Sequence, residues 1–238
     1  MRLYRKFKMN PHELAKKIDH TLLKPTATLK DLDLICEEAM HFQFASICIQ
    51  PSNLIYAQNK LQTLAQTTHA PIVPLCTVIG FPLGANLSDV KCHEAKLAHA
   101  HGAIEFDMVL NIQALKNQQY DVVKADIDAV KKSIDGKLLK VIIETCLLTD
   151  EEKIIACQIL NQTDAEFIKT STGFSTGGAT LSDVELMRKH LSPKKWVKAS
   201  GGIKNKSDAG QMLKAGAARL GTSNGVLIMQ DLSAQSGY

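Results

Sequence analysis

The sequence predicts a single-domain α/β fold, a (β/α)8 TIM barrel, and three observations lead to it. Short apolar segments alternate with amphipathic segments, and the alternation repeats eight times. The apolar segments are rich in Ile, Val, Leu and Cys, which is typical of parallel strands covered on both faces. A length of 238 residues suits one such barrel. An open dinucleotide-binding sheet would need a G-x-G-x-x-G turn after its first strand, where this chain has TLLKP at residues 21–25.

The predicted elements follow in order along the chain. The eight strands share apolar interiors and are placed at 18–21, 44–50, 72–80, 104–110, 139–145, 166–171, 196–200 and 219–222. The helices between them are placed at 31–41, 89–100, 151–160, 184–190 and 208–215, and residues 112–134 hold one long helix or a helix pair. Ser88 and Ser207 are predicted N-caps, and Thr149 with Glu152 has the spacing of a capping box.

The chain is predicted to form one domain over residues 10–238, because no Pro/Gly/Ser-rich linker divides it. Residues 1–9 are expected to be a disordered basic leader, with Met9 as an alternative start, and the C-terminal residues a flexible tail. The leader carries four basic residues, and without them the basic and acidic residues are equal in number. A neutral body argues against a nucleic-acid partner, and no apolar run has the length of a membrane span.

Six cysteines occur without any C-x-x-C pair, and most lie in apolar segments. In a chain of this length they are best interpreted as buried thiols in a reducing cytoplasm rather than as a disulfide framework. The prediction is therefore a cytoplasmic protein.

A lysine lies near the end of the sixth predicted strand, in the segment EFIKTSTGF at residues 166–174. Burial in an apolar strand disfavours the ammonium form of a lysine and favours the neutral amine. A neutral amine is the nucleophile that attacks a carbonyl carbon to form a Schiff base. The alternative for such a residue is a solvated charge just beyond the core. Lys169 is the candidate nucleophile.

A second strand-end lysine, Lys198, lies in the similar segment WVKASGG at residues 196–202. Two such lysines, each leading into a Gly/Ser loop, predict an imine-forming enzyme with an anionic substrate. The alternative is a non-catalytic barrel that binds a sugar phosphate and uses both lysines only as counter-ions.

The loops after strands seven and eight of a (β/α)8 barrel commonly bind phosphate at the C-terminal ends of the strands. Here these loops are rich in glycine, with SGGIK at residues 200–204 and GTSNG at residues 221–225. Backbone N–H groups of such loops donate hydrogen bonds to phosphate oxygens. The predicted phosphate-binding residues are Gly201, Gly202, Lys204, Ser223 and Asn224. An ordinary turn is the alternative for either loop alone.

Asp107 lies in the middle of the fourth predicted strand, where a buried carboxylate needs a partner. A lysine across the barrel would keep it ionised, and its predicted role is general acid/base, directly or through a water. Glu105 has the same strand parity and is expected to form a structural pair nearer the bottom of the barrel. Asp19 and Thr21 share parity on the first strand and are expected at the same mouth, Thr21 as a substrate-binding residue and Asp19 as a catalytic residue that organises hydrogen bonds beneath the lysines.

Cys48 lies in the second strand and could face the interior, where it is a candidate substrate-binding residue. Packing is favoured over a catalytic thiol because no histidine is positioned to activate it. No His, Asp and Glu residues occur at metal-ligand spacing, and neither H-E-x-x-H nor G-K-[ST] is present. We therefore predict no metal and no cofactor, and amine catalysis rather than Lewis-acid catalysis.

These segments together resemble one known family. From about Asn10 onward the chain is similar to the metal-free, class I deoxyribose-phosphate aldolases. The motifs are IDHTLL at 18–23, SICI at 46–49, EFDMV at 105–109, KVIIET at 140–145, FIKTSTG at 167–173 and VKASGGI at 197–203. The resemblance implies a TIM-barrel lyase of deoxyribonucleotide catabolism that cleaves 2-deoxy-D-ribose 5-phosphate reversibly to D-glyceraldehyde 3-phosphate and acetaldehyde.

The resemblance also implies a role for each matching residue. Lys169 matches the Schiff-base nucleophile, Asp107 the acid/base that works with a water, and Lys198 the neighbouring cation that favours a neutral nucleophile. Thr170 and Gly173 match the substrate-binding turn after the nucleophile. Rival functions are another imine-forming aldolase or a dehydratase acting on a phosphorylated sugar.

The chain departs from the family pattern at Lys204 and Asn224. It agrees with the family at its terminal tyrosine. Family members often have Arg where this chain has Lys204, and Ser where it has Asn224, which affects the expected affinity for phosphate. The terminal Tyr238 resembles a family tyrosine whose phenol helps to move the enamine proton, and fraying of the terminus is the alternative. A homodimer is expected by family analogy.

Overall fold

The computed structural model describes residues 9–231, in which eight parallel strands form a closed barrel with neighbours in chain order from β1 to β8. The predicted leader up to Lys8, the tail and Tyr238 lie outside the described residues. The strands are β1 (Ile18–Leu22), β2 (Ser46–Ile49), β3 (Leu75–Ile79), β4 (Glu105–Val109), β5 (Leu138–Ile142), β6 (Phe167–Lys169), β7 (Trp196–Ser200) and β8 (Ala217–Thr222). The predicted fold class is confirmed.

Helices cover the outside of this barrel. They are α1 (Pro11–Ala15), α2 (Leu29–Phe42), α3 (Leu54–Thr68), α4 (Ser88–Ala100), α5 (Ile112–Lys116), α6 (Tyr120–Ser133), α7 (Asp150–Asn161), α8 (Leu181–His190), α9 (Lys206–Lys214) and α10 (Gly225–Met229), with 3-10 turns at Pro51–Asn53 and Thr145–Leu147. None of the helices within residues 9–231 is both long enough and apolar enough to cross a membrane.

The apolar core lies mainly between the strands and the helices. Ile47, Phe106, Val141 and Val197 are completely buried in this layer, as parallel strands covered on both faces require. His20 also points into the helix layer, where its ring contacts Phe44 and its Nε2 lies 2.7 Å from Glu38. Alternation along β1 therefore sends Asp19 and Thr21 to the interior, as their parity predicts.

Three helix and strand boundaries differ from the sequence predictions for local reasons. Strand β5 ends at Ile142 rather than at 145, because Glu144 has a left-handed backbone (φ 52°) and starts a 3-10 turn. Helix α9 is capped by Asn205, whose side chain accepts from the N–H of Asp208, and Ser207 lies inside the helix. Helix α4 begins at Ser88 itself, so Ser88 is not its N-cap.

The remaining helix predictions are partly confirmed. Residues 112–134 form the helix pair α5 and α6 rather than one long helix, and the capping box of Thr149 and Glu152 is present at the start of α7. Helix α3 has no counterpart among the predictions, because its apolar face is narrow: only Leu54, Ala57 and Leu61 are buried. These differences leave the strand ends that carry the predicted site in place.

Candidate active site

A cavity of about 830 Å³ opens at the C-terminal ends of the strands, between the loops that follow β6, β7, β8 and β1. Its lining includes Lys169, the glycine loop after β7 and the loop after β8. The charged residues that line it in the described part of the chain are Lys24, Lys169 and Lys204, with no carboxylate among them. We call this cavity the cationic chamber, and its charge suits an anionic ligand.

Lys169 is the last residue of β6 and lies at the floor of the cationic chamber with 3 % of its surface exposed. Its Nζ donates a hydrogen bond to Oδ2 of Asp107 at 2.7 Å. In the register of β6 and β7, Lys169 is the direct partner of Lys198. The two predicted lysines are therefore neighbours at one end of the barrel, and Lys169 is the one that reaches the chamber.

Asp107 is completely buried and accepts hydrogen bonds from three lysines. Lys169 and Lys198 donate to Oδ2 at 2.7 and 2.6 Å, and Lys140 donates to Oδ1 at 2.9 Å. Burial alone would raise the pKa of Asp107, but the charges of Lys140, Lys169 and Lys198 lower it well below its ordinary value. The carboxylate is thus ionised at neutral pH, as the predicted lysine partner requires, and its role as an acid/base stays a prediction.

Lys198 lies between two carboxylates. Its Nζ is 2.6 Å from Oδ2 of Asp107 and 2.5 Å from Oδ2 of Asp19. Burial opposes the charge on this amine, but Asp107 and Asp19 outweigh burial and raise the pKa of Lys198 above its ordinary value. Lys198 is therefore a stable cation that shares an oxygen with the amine of Lys169.

Asp19 lies beneath the lysines, as expected, and has no contact with the chamber. Its Oδ1 accepts from the hydroxyl of Ser46 and from the guanidinium of Arg219, both at 2.7 Å. Burial opposes ionisation, yet Lys198, Lys140 and Arg219 lower the pKa of Asp19 below its ordinary value. Asp19 is placed to orient Lys198 rather than to touch a substrate.

Two cations of this site were missed by the sequence reasoning. Lys140 on β5 lies 2.7 Å from Glu105 and 2.9 Å from Asp107, and Arg219 on β8 lies 3.1 Å from Glu105. The structural pair expected for Glu105 is thus formed with both. The signal for Lys140 was present: a lysine interrupts the apolar segment LLKVI at 138–142, and its parity points it inward.

The loops predicted to bind phosphate line the cationic chamber at Gly201, Gly202, Lys204, Ser223 and Asn224. Gly201 has φ +83° and Gly202 φ +78°, which favour glycine. A Cβ on Gly201 would come within 2.9 Å of Cα of Gly178, so the close approach of the two loops also requires glycine. These bare backbone segments leave room for an anion beside Lys204.

The other predicted site residues fall into two groups. Thr21 and Gly173 line the chamber. Thr170 and Cys48 are completely buried beneath it: the hydroxyl of Thr170 donates to the carbonyl of Ser200, and the thiol of Cys48 lies 4.0 Å from Asp107. For these two residues contact with a substrate stays a prediction.

One set of possible metal ligands occurs in residues 9–231, formed by Cys48, Cys76 and Asp107, whose ligand atoms lie within 4.8 Å of one another. Burial raises the pKa of the Cys76 thiol well above its ordinary value, which opposes the thiolate that metals prefer. Three lysine amines already surround Asp107, and they would repel a divalent cation there.

Comparison with known proteins decides the family. The family model described as DeoC/LacD family aldolase matches residues 14–232. The chain belongs to the DeoC/LacD family of aldolases. It is 52% identical over 225 residues to the deoxyribose-phosphate aldolase of Lysinibacillus sphaericus, covering 94% of this chain and 98% of that protein. The enzyme of the same name from Streptococcus sanguinis is 51% identical over 226 residues, which are 95% of this chain and all of that protein.

A solved structure agrees with this membership. The tetrameric deoxyribose phosphate aldolase from Aeropyrum pernix superposes with a TM-score of 0.82 at 32% identity, covering 93% of this chain and 91% of that one. The resemblance to the deoxyribose-phosphate aldolases and the predicted TIM barrel are both confirmed.

Proposed function

We propose that this aldolase cleaves 2-deoxy-D-ribose 5-phosphate reversibly to D-glyceraldehyde 3-phosphate and acetaldehyde through a Schiff base on Lys169. One observation carries the proposal. The amine of Lys169 lies at the floor of a chamber lined by three lysines, and rests on a carboxylate that it shares with the cation of Lys198. The names and near full-length coverage of its relatives support the choice of substrate.

The chemistry follows from the residues. Neutral Lys169 attacks the aldehyde carbon of the open-chain sugar, and loss of water gives an iminium ion. The iminium withdraws electrons, so the bond between carbons 2 and 3 breaks when the hydroxyl on carbon 3 loses its proton. Glyceraldehyde 3-phosphate then leaves, and an enamine stays on Lys169. Protonation of the enamine carbon and hydrolysis release acetaldehyde and regenerate the amine.

Asp107 is the proposed acid/base for these proton transfers. Its pKa is held low by three lysines, so it is ionised and accepts a proton from the carbon 3 hydroxyl through a water. Its hydrogen bond to Lys169 also holds the amine in place. The carboxylate of Asp107 therefore both holds the nucleophilic amine and accepts the transferred proton.

The phosphate of the substrate is proposed to bind at the loops after β7 and β8. Lys204 supplies a point charge there, and Gly201 and Gly202 leave the backbone accessible. Lys24 on the loop after β1 also lines the chamber, and it adds a cation that the sequence predictions do not include. Lys204, where family members often have arginine, retains the positive charge but cannot donate the bidentate hydrogen bonds of a guanidinium.

Borohydride reduction in the presence of substrate or acetaldehyde tests the nucleophile. We expect a covalent adduct whose mass and position identify Lys169, and no adduct in Lys169→Ala. A Lys204→Ala variant is the matched control, because it removes a chamber lysine and keeps the amine that reacts. An adduct on another lysine would contradict the assignment of Lys169. No adduct in the native chain would contradict the imine mechanism and favour a barrel that only binds sugar phosphates.

The same Lys204→Ala variant tests the phosphate site. We expect KM for the phosphorylated sugar to rise about tenfold, the effect of one lost ionic contact, while cleavage of unphosphorylated 2-deoxyribose is unchanged. Equal losses on both sugars would place the phosphate elsewhere. Product analysis with several sugar phosphates separates this activity from that of another imine-forming aldolase or a dehydratase.

Three further proposals concern proton transfer, assembly and location. Transfer of the enamine proton by Tyr238 stays a prediction, and deleting that residue should slow exchange of solvent protons into acetaldehyde. A homodimer also stays a prediction, and sedimentation would distinguish it from the tetramer of the Aeropyrum pernix relative. A cytoplasmic location is proposed on the six free thiols.

A further inference from the structure

The interior of the barrel holds a network of charges to which all eight strands contribute titratable or charged side chains. They are Asp19 (β1), Cys48 (β2), Cys76 (β3), Glu105 and Asp107 (β4), Lys140 (β5), Lys169 (β6), Lys198 (β7) and Arg219 (β8). The cationic chamber above adds Lys24 and Lys204. We call the four cations and three carboxylates inside the strands the charge network.

The charge network carries one more cation than it has carboxylates in the described part of the chain. Fully ionised, it would place a net positive charge in a region largely shielded from water, which is energetically unfavourable. Neutrality is restored when one amine loses its proton. The question is which of the four cations is neutral.

The contacts single out Lys169. Lys140 lies within 4 Å of three carboxylates and Lys198 within 4 Å of two, whereas Lys169 has Asp107 alone among the residues that the structure covers. Asp107 and its neighbouring carboxylates raise the pKa of Lys140 and Lys198 against the effect of burial. Arginine does not deprotonate in proteins. Lys169 is therefore the amine of the charge network with the fewest carboxylate partners.

Arg219 is the cation that creates the excess. Its guanidinium donates to Asp19 at 2.7 Å and to Glu105 at 3.1 Å, and it is not part of the chamber lining. It shares Asp19 with Lys198 and Glu105 with Lys140, so each of these carboxylates has to balance two cations. We propose that Arg219 is a positioning residue. Its positive charge lies within the barrel below the chamber and favours the neutral form of Lys169, without contact with the substrate. This inference deepens the proposed function and rests on it.

The competing role for Arg219 is purely structural, as a link between β1, β4 and β8. Both roles predict that removing Arg219 lowers stability. Only the electrostatic role predicts a change in the pH dependence of the reaction. Removing a nearby positive charge favours the ammonium form of Lys169, so the acid limb of the profile of kcat/KM must move to higher pH.

The test measures kcat/KM for 2-deoxyribose 5-phosphate between pH 5 and 9 at constant ionic strength. Arg219→Met leaves three cations and three carboxylates, and we expect the acid limb to move up by about one pH unit, a roughly tenfold loss on that limb. Arg219→Lys keeps the charge and should keep the native limb. The double variant Arg219→Met, Glu105→Gln restores one excess cation and should return the limb toward its native position.

A further variant keeps the proposal testable if Arg219→Met does not fold. Glu105→Gln alone leaves two excess cations, and the acid limb should then move to lower pH. A native limb in Arg219→Met, a shift that the double variant fails to reverse, or an unmoved limb in Glu105→Gln would each overturn the proposal. Native protein without a borohydride adduct would overturn the proposed function itself, whereas an adduct with unmoved limbs overturns only the role of Arg219.

Discussion

Lys198 illustrates how one buried side chain serves both stability and reactivity. It lies 2.6 Å from Asp107 and 2.5 Å from Asp19, so its charge is compensated, and it shares an oxygen with Lys169. A fixed cation beside a second amine makes protonation of that second amine unfavourable. The role that family resemblance assigns to Lys198 thus has a direct geometric basis.

Lys198→Met removes this cation at nearly constant volume. We expect kcat/KM at pH 7 to fall about a hundredfold, because Lys169 becomes protonated and Asp107 loses a partner. The acid limb of the pH profile should move upward, and the free energy of unfolding should fall by about 3–5 kcal/mol, since two buried carboxylates lose a shared cation. Steady-state kinetics against pH and urea unfolding measure both effects.

Lys91→Met is the matched control. Lys91 is also completely buried and pairs with Asp126 at 2.6 Å, but it lies on α4 in the helix layer. Its removal should lower stability to a similar extent and leave the pH profile in place. Equal movement of the acid limb in both variants would show that loss of stability, rather than the charge at Lys198, changes the pH dependence.

Among the helices and strands, the beginnings of helices show what short sequence patterns do and do not determine. The capping box of Thr149 and Glu152 is local, and the structure contains it as predicted. The start of α9 was misplaced because Ser207 and Asn205 are both good cap residues two positions apart. The carboxylate of Asp208 accepts from the backbone N–H of Lys204 four residues earlier, and this local contact accompanies the cap at Asn205.

Asn205→Ala and Ser207→Ala form a matched pair at this helix start. Asn205 accepts from the N–H of Asp208 at 2.9 Å, and its loss should lower the free energy of unfolding by about 1 kcal/mol. Ser207 is exposed inside the first turn, and its loss should change stability by less than about 0.5 kcal/mol. Urea unfolding compares the two, and a larger effect at Ser207 would restore the sequence prediction of the cap.

For the whole molecule, the interior charges set the pH range of stability. Burial alone would raise the pKa of Asp107 and Asp19, but the surrounding cations lower it below the ordinary value. The stability that these two ionised carboxylates contribute is therefore complete above about pH 4 and is lost as pH falls further. Burial alone would lower the pKa of Lys140 and Lys198, but the neighbouring carboxylates raise it above the ordinary value. The stability that these two charged lysines contribute is complete below about pH 10.5 and is lost as pH rises beyond it.

We therefore expect a broad maximum of stability between these limits. Urea unfolding measured from pH 3 to 11 should show a plateau, with a fall below about pH 4 and another above about pH 10.5. An Asp19→Asn variant should start from a lower plateau and fall less steeply in acid, because one of the titrating carboxylates is gone. Stability that increases from pH 5 to pH 3 would contradict the ionised state of the interior carboxylates.

Much of this protein could be predicted from short segments of its sequence. Alternating apolar and amphipathic segments determine the barrel, because periodicity reports which faces are buried. The strand-end lysines Lys169 and Lys198 and the glycine loops after strands seven and eight are visible as local patterns, and they already indicate imine chemistry on an anion. Inward parity also placed Asp107 and Asp19 correctly.

The tertiary structure decided which charges meet. Arg219 and Asp19 are 200 positions apart in the chain and come into contact only because β8 pairs with β1 when the barrel closes. Lys140 faces Asp107 through the register of β4 and β5. Segment patterns report burial and the direction of a side chain, whereas barrel closure and strand register decide which charges surround Lys169.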